Sequence, residues 1–108
     1  MTVEELKNKL SLKECCLVEP DRQIEGGYVG DLLSWVMGKA QSGNVWITIM
    51  SNINIVAVAS LTDVACIVLA EGVTVDENVL STAKNKGVNI LSTEKSAFEI
   101  ASEVAKLI

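Results

Sequence analysis

The sequence predicts an α/β fold, a three-layer sandwich with helices on both faces of a mainly parallel sheet of about four strands. Short apolar runs at 15–18, 45–50, 66–70 and 88–91 alternate with segments whose apolar residues recur at helical spacing. Continuous apolar runs are typical of parallel strands that are buried on both faces. A chain of 108 residues can bury a core without disulfides or metal, so we expect residues 1–108 to form a single domain.

Helix signals surround these runs. Thr2 with Glu5, and Ser96 with Glu99, have the spacing of a capping box, in which each side chain bonds the other residue's backbone N–H. Gly87 predicts the end of the fourth helix, because glycine readily adopts the left-handed conformation found there. The predicted helices cover residues 2–10, 31–40, 54–61, 76–86 and 96–108.

Residues 54–61 are ambiguous. Their β-branched residues favour a strand, whereas their alanines and Asn54 as a cap favour a helix. We predict a helix, because parallel strands at 45–50 and 66–70 need a crossover between them.

This helix would be apolar on nearly every side, and the sheet can cover only one of them. Hydrophobic residues also make up 49% of the chain. We therefore expect a homodimer, with Ile55 and Val58 as candidate interface residues. Trp35, which lies off the inner stripe of the preceding helix, is a third candidate, because tryptophan is enriched at interfaces.

Composition argues against several classes of function. With 9 basic and 14 acidic residues, a net charge of −5 and no basic cluster, the chain lacks the footprint of a nucleic-acid-binding protein. No apolar run approaches the length of about 20 residues that a membrane span requires. The absence of histidine removes the commonest general base and metal ligand, so we expect no catalytic residues and no cofactor.

The three cysteines indicate a reducing, cytoplasmic location. Their number is odd, and no signal peptide precedes them. Cys15 and Cys16 are adjacent in a predicted strand, so their side chains point to opposite faces and do not readily hold one metal ion. We expect these two residues and Cys66 to be small buried hydrophobic residues, and we predict no metal site.

The long segment 20–30 is the best candidate ligand site. We expect Asp21, Arg22, Gly26 and Gly27 to line it, because glycines allow close approach to a phosphate and arginine forms paired hydrogen bonds to anions. The alternative is that the glycines only permit unusual backbone angles and that Asp21 and Arg22 form a local ion pair. Asp31, at the following helix start, would compete with an anion.

Other polar residues follow the later strands. Ser51 and Asn52 are further ligand candidates, because the carboxyl ends of parallel strands meet at one edge of the sheet. Glu71, Ser92 and Thr93 follow the next two predicted strands. The alternative is that these loops are polar only because they are exposed.

Several segments resemble the DRTGG domain family over about residues 14–106. Asp21 and Arg22, followed by Gly26 and Gly27, resemble the motif that names the family, although residues 23–25 occupy the place of its single threonine. The remaining segments that carry the resemblance are 28–33, 54–59, 65–69 and 91–93.

The resemblance implies a regulatory domain that self-associates. Related domains occur inside phosphotransacetylases, between the CBS domains of some pyrophosphatases, and at the start of HPr kinase/phosphorylase. The chain lacks a phosphate-binding P-loop, which a kinase of that family would need. We therefore expect a non-catalytic module that senses a small anionic ligand or binds a metabolic enzyme. The alternative is a small phosphate- or nucleotide-handling enzyme that uses Asp21, Arg22 and the glycines.

Overall fold

A computed structural model describes residues 1–108 and contains five strands and five helices. The helices are α1 (Val3–Lys9), α2 (Leu33–Lys39), α3 (Asn54–Thr62), α4 (Glu77–Lys86) and α5 (Ala97–Leu107). The strands are β1 (Lys13–Cys16), β2 (Gly27–Val29), β3 (Val45–Thr48), β4 (Cys66–Leu69) and β5 (Ile90–Ser92). They form one sheet in the order β1-β5-β4-β3-β2.

The sheet is mainly parallel, as predicted, but it has five strands rather than about four. Strands β2 to β5 are parallel neighbours, and β1 pairs antiparallel with β5 at one edge. Strand β2, at the other edge, lies within the segment that we predicted to be a loop. Its register places Gly27 beside Val45 and Val29 beside Ile47.

Helices cover both faces, which confirms the three-layer α/β fold. On one face, Trp46, Ile67 and Ile90 pack against α2, α3 and α4. On the other, Ile47 and Leu91 pack against α1 and α5. Because successive parallel strands are joined on the same side, α2, α3 and α4 form one layer.

Residues 54–61 are helical, which confirms the crossover prediction. α3 contacts α2 on one side and α4 on the other, so neighbouring helices as well as the sheet cover it. Its apolar character is therefore explained within one chain.

Helix ends follow the sequence signals at three of the predicted sites. Both capping boxes form, and Gly87 ends α4 in the left-handed conformation with a φ of 71°. The predicted role of Asp31 as the start of α2 is wrong, because α2 begins at Leu33 and no side chain caps it. No helix has the length and apolar character that a membrane crossing would require.

Candidate functional site

The candidate ligand residues lie at opposite ends of the sheet. Gly27 pairs with Val45, the first residue of β3, whereas Ser51 and Asn52 follow the carboxyl end of that strand. Four residues of strand separate the two groups by roughly 13 Å. β1 runs antiparallel to the other strands, so the segment that follows it begins at their amino ends. The six candidates therefore do not form one site.

Arg22 is bonded within the chain. Its guanidinium donates to the Asp63 carboxylate over 2.9 Å and to the Asp63 carbonyl oxygen over 2.8 Å. Ser42 completes the group by donating to the second Asp63 oxygen over 2.6 Å. The partner is Asp63 rather than Asp21, because Asp63 ends α3 in a left-handed conformation beside this segment. That Arg22 and the glycines bind an anion stays a prediction.

Hydrogen bonding shifts the pKa of both members of this pair. The bond from Arg22, and then that from Ser42, lower the pKa of the Asp63 carboxyl, because both stabilise its charged form. The bond to Asp63 raises the pKa of Arg22. More than half of the Asp63 side chain is exposed, so solvent weakens the stabilisation.

Asp63→Asn should lower stability near neutral pH by up to about 1 kcal/mol and make it less dependent on acid. A lowered pKa in the folded state means that the Asp63 contribution is complete above the unfolded-state pKa of about 3.9 and is lost as the pH falls through the folded-state value. Urea unfolding at a series of pH values should show the two proteins converging below about pH 3.9. A difference in stability that stays constant with pH would contradict this. Asp21→Asn is the control, and its stability at neutral pH should match that of the wild type.

Gly26 and Gly27 are explained by backbone geometry. Gly26 has a φ of 110°, which L-residues rarely adopt, and its carbonyl accepts a bond from the Val45 N–H over 2.9 Å. Gly27 is the first residue of β2. Asn44 holds this corner by donating to the Glu25 carbonyl oxygen over 3.3 Å.

Asp31 belongs to the carboxyl end of β3. Its carboxylate accepts from the Thr48 hydroxyl over 2.9 Å and from the Ile49 N–H over 3.1 Å. The side-chain oxygen of Asn52 accepts from the Asn54 N–H over 2.9 Å, and this bond shapes the turn into α3. These bonds give Asp31 and Asn52 local structural roles.

The two candidate interface positions on α3 are buried within the chain. Ile55 has no exposed surface and Val58 is 6% exposed, so neither can touch a partner while the domain is folded. Both belong to the cluster that α3 forms with the sheet and its neighbouring helices. Trp35 differs, because 59% of its surface is exposed.

A polar crevice opens between the carboxyl ends of β4 and β5, and we call it the β4–β5 crevice. Residues 72–74 form one wall, residues 92–94 form the other, and Lys13 lies at its end. Two backbone bonds join the walls: the Glu71 N–H donates to the Lys95 carbonyl oxygen over 2.8 Å, and the Gly72 N–H donates to that of Thr93 over 3.0 Å. Sequence reasoning identified Ser92 and Thr93 at this end of the sheet.

The cysteines are all free thiols. Complete burial raises the pKa of the Cys66 thiol to about 12, and burial also raises that of Cys16. Cys15 is partly buried, and its thiol donates to the Ser92 hydroxyl over 3.4 Å. No group of three or more histidine, cysteine, aspartate or glutamate residues lies close enough together to hold a metal ion.

Comparison of the sequence with models of known families identifies the family of this chain. The sequence model of the DRTGG domain matches residues 31–107. The chain belongs to the DRTGG domain family. No curated protein matches it. The match begins after the segment 21–27 that resembles the family's name-giving motif, and it includes α2 to α5.

A solved structure shares the fold of this DRTGG domain. It contains the CBS and DRTGG domains of the regulatory region of the Clostridium perfringens pyrophosphatase, complexed with the activator diadenosine tetraphosphate. The TM-score is 0.73 at 15% sequence identity, with 94% of the present chain and 44% of the other covered. The present chain therefore spans less than half of the length of that chain.

Proposed function

We propose that residues 1–108 form one non-catalytic regulatory module of the cytoplasm that acts as a homodimer. Membership of the DRTGG family and the fold shared with a pyrophosphatase regulatory region support this proposal. The lack of histidine also supports it, because no histidine-dependent nucleophile or metal centre can form. The alternative of an enzyme built on Arg22 gains no support from the geometry, because Asp63 already engages the guanidinium.

One side of α2 carries the proposal. Leu32 is 60% exposed and Trp35 is 59% exposed, although both are large and apolar. The Lys39 ammonium lies 5.1 Å from the centre of the Trp35 ring. At helical spacing, these three residues share one side of α2, which we call the α2 surface. Val36 is the only fully buried residue of this helix, and Leu33 is partly buried against the same cluster.

A second copy of the chain fits the α2 surface by charge as well as by hydrophobicity. Asp31 lies two residues before α2 and Lys39 ends it, so opposite charges lie near the two ends of the helix. Two antiparallel α2 helices related by a two-fold axis would bring Lys39 of each copy beside Asp31 of the other, with Trp35 near the axis. Tryptophan at the centre of an interface commonly dominates its affinity.

Trp35→Glu should abolish the dimer without unfolding the domain. The change places a charge at the centre of the proposed interface, whereas Trp35 contributes little to the core because most of it is exposed. Light scattering should give about twice the chain mass of 11.6 kDa for the wild type and the single-chain mass for the variant. Leu61→Glu is the matched control, because Leu61 is 73% exposed on a different helix; it should leave the dimer intact.

Intrinsic fluorescence gives an independent measurement of the same interface. The chain has two tryptophans, and Trp46 has no exposed surface, so its emission should not depend on protein concentration. Dilution of the wild type should shift the emission of Trp35 to longer wavelength as dissociation exposes the ring. A wild type of monomer mass, with emission independent of concentration, would overturn the homodimer proposal.

A further inference from the structure

The connections after β4 and β5 leave the sheet in opposite directions. β4 leads to α4, whose Val79 and Ala83 pack in the core on one face of the sheet. β5 leads to α5, whose Ile100 and Val104 pack in the core on the other face. The two strands are parallel neighbours. This is the arrangement that opens a crevice outside the carboxyl ends of parallel strands, where α/β domains characteristically bind ligands. Elsewhere in the parallel sheet, successive connections stay on one face.

We propose that the β4–β5 crevice binds the phosphate group of a small organic phosphate ester. A regulatory role for this ligand rests on the proposed function, whereas the binding itself does not.

The walls of the crevice carry several hydrogen-bond donors that have no acceptor within the chain. The backbone N–H groups of Thr74 and Glu94 donate to no group of the chain. Ser92 and Thr93 use their hydroxyl oxygens as acceptors, from Cys15 and from the Lys95 N–H, so their hydroxyl hydrogens stay available. Several free donors suit a phosphate, which offers several acceptor oxygens.

One unpaired cation and one opposing carboxylate line the crevice. The Lys13 ammonium forms no ion pair, whereas the neighbouring Glu14 is engaged by Lys7 over 3.2 Å. The Glu71 carboxylate is not part of the crevice lining, and it accepts from the Ala97 N–H at the start of α5 over 3.0 Å. Glu94 opposes an anion; its exposed carboxylate lies against Gly72, where a Cβ atom would collide with it.

The shape of the crevice indicates a small ligand with an organic part. The crevice itself has a volume of about 70 Å³, and it adjoins a cavity of about 190 Å³ with which it shares Lys13, Val73, Thr74 and Ser92. The adjoining cavity extends over the apolar side chains of Val75 and Leu80. Each volume is below the roughly 300 Å³ at which drug-sized sites begin. A phosphate in the crevice would thus direct a short organic group into the adjoining cavity.

Two hydrogen bonds between the walls fix the shape of the crevice in the absence of a ligand. Glu71 and Gly72 both have positive φ angles, of 62° and 73°, and both N–H groups are bonded across to the opposite wall. A non-glycine residue in this conformation persists only where its surroundings hold it there. The donors on the two walls are therefore held in place before binding.

NMR titration with glycerol 3-phosphate, inorganic phosphate, glycerol and magnesium ions tests the proposal. We expect the amide signals of residues 72–74 and 92–94 to shift with both phosphates, more strongly with glycerol 3-phosphate, and not with glycerol. Lys13→Gln should weaken binding about fivefold, because it removes the unpaired cation. Glu94→Gln should strengthen binding about threefold, because it removes the opposing charge. Lys39→Gln, in α2, is the matched control and should bind like the wild type.

Three results would overturn the proposal. These are no shift in the two walls with either phosphate, equal affinity in the wild type and Lys13→Gln, or a response to magnesium that Glu94→Gln abolishes. The last would show that the crevice binds a cation. Light scattering on the same samples reports the dimer separately, so loss of one proposal is distinguishable from loss of the other.

Discussion

Ile55→Glu is expected to unfold the domain rather than dissociate a dimer. Ile55 has no exposed surface and packs with Val36 of α2, Trp46 of β3 and Val79 of α4. A carboxylate in this cluster would be buried without a partner, at a cost of at least about 4 kcal/mol. Small domains have a total stability of about 5–15 kcal/mol, so most of it would be lost. Circular dichroism and dispersion of the amide NMR signals measure the outcome.

The same substitution at an exposed position of α3 separates burial from helix chemistry. Leu61→Glu should stay folded, because 73% of the Leu61 surface is already in water. Both changes introduce the same charge into one helix of nine residues. If Ile55→Glu stays folded and only halves the mass of the dimer, then Ile55 is an interface residue and the packing described for α3 is wrong.

The sequence of α3 could predict a buried helix but not what buries it. Nearly every side of residues 54–61 is apolar, so the pattern has no polar face that would place the helix beside a particular neighbour. α3 is the middle helix of its layer, and α2 and α4 cover the sides that the sheet cannot reach. Such lateral packing depends on strand order, which the spacing of apolar residues along the sequence does not predict.

Strand direction also explains why the six predicted ligand residues do not share one end of the sheet. The apolar run around Cys15 and Cys16 has no feature that distinguishes a parallel strand from an antiparallel one. Because β1 runs antiparallel, the segment that contains Arg22 starts at the amino ends of the other strands. β2 was missed because it has only three residues, and it starts with a glycine, which is disfavoured in strands.

The β4–β5 crevice was only partly predictable. Ser92 was expected at the carboxyl ends because it follows an apolar run, and that rule does not depend on strand order. Lys13 reaches the same place only because β1 pairs with β5 in the register that sets it beside Ser92. Thr74 comes five residues after β4 ends, in a loop whose path depends on bonds to the opposite wall.

Asn89→Ala is expected to destabilise the domain by about 3–5 kcal/mol. The side chain is 2% exposed and forms four hydrogen bonds with backbone groups. Its oxygen accepts from the N–H groups of Val18 and Glu19 over 2.9 and 2.8 Å, and its NH₂ donates to the carbonyl oxygens of Glu19 and Ala65 over 2.9 and 3.1 Å. Alanine would leave these partners unbonded, and each buried unsatisfied group costs about 1–3 kcal/mol, reduced where water can enter.

These bonds connect the antiparallel strand to the parallel ones. Asn89 immediately precedes β5, Ala65 precedes β4, and Val18 and Glu19 follow β1, so one side chain joins three adjacent strands at the same end of the sheet. The sequence offered no sign of this, because an asparagine between Val88 and Ile90 is indistinguishable from an exposed residue at a strand start. Urea unfolding should show the loss for Asn89→Ala and a change within about 0.5 kcal/mol for Asn85→Ala, an exposed asparagine of α4. Equal stability of the two variants would mean that β1 is held by its ladder with β5 alone.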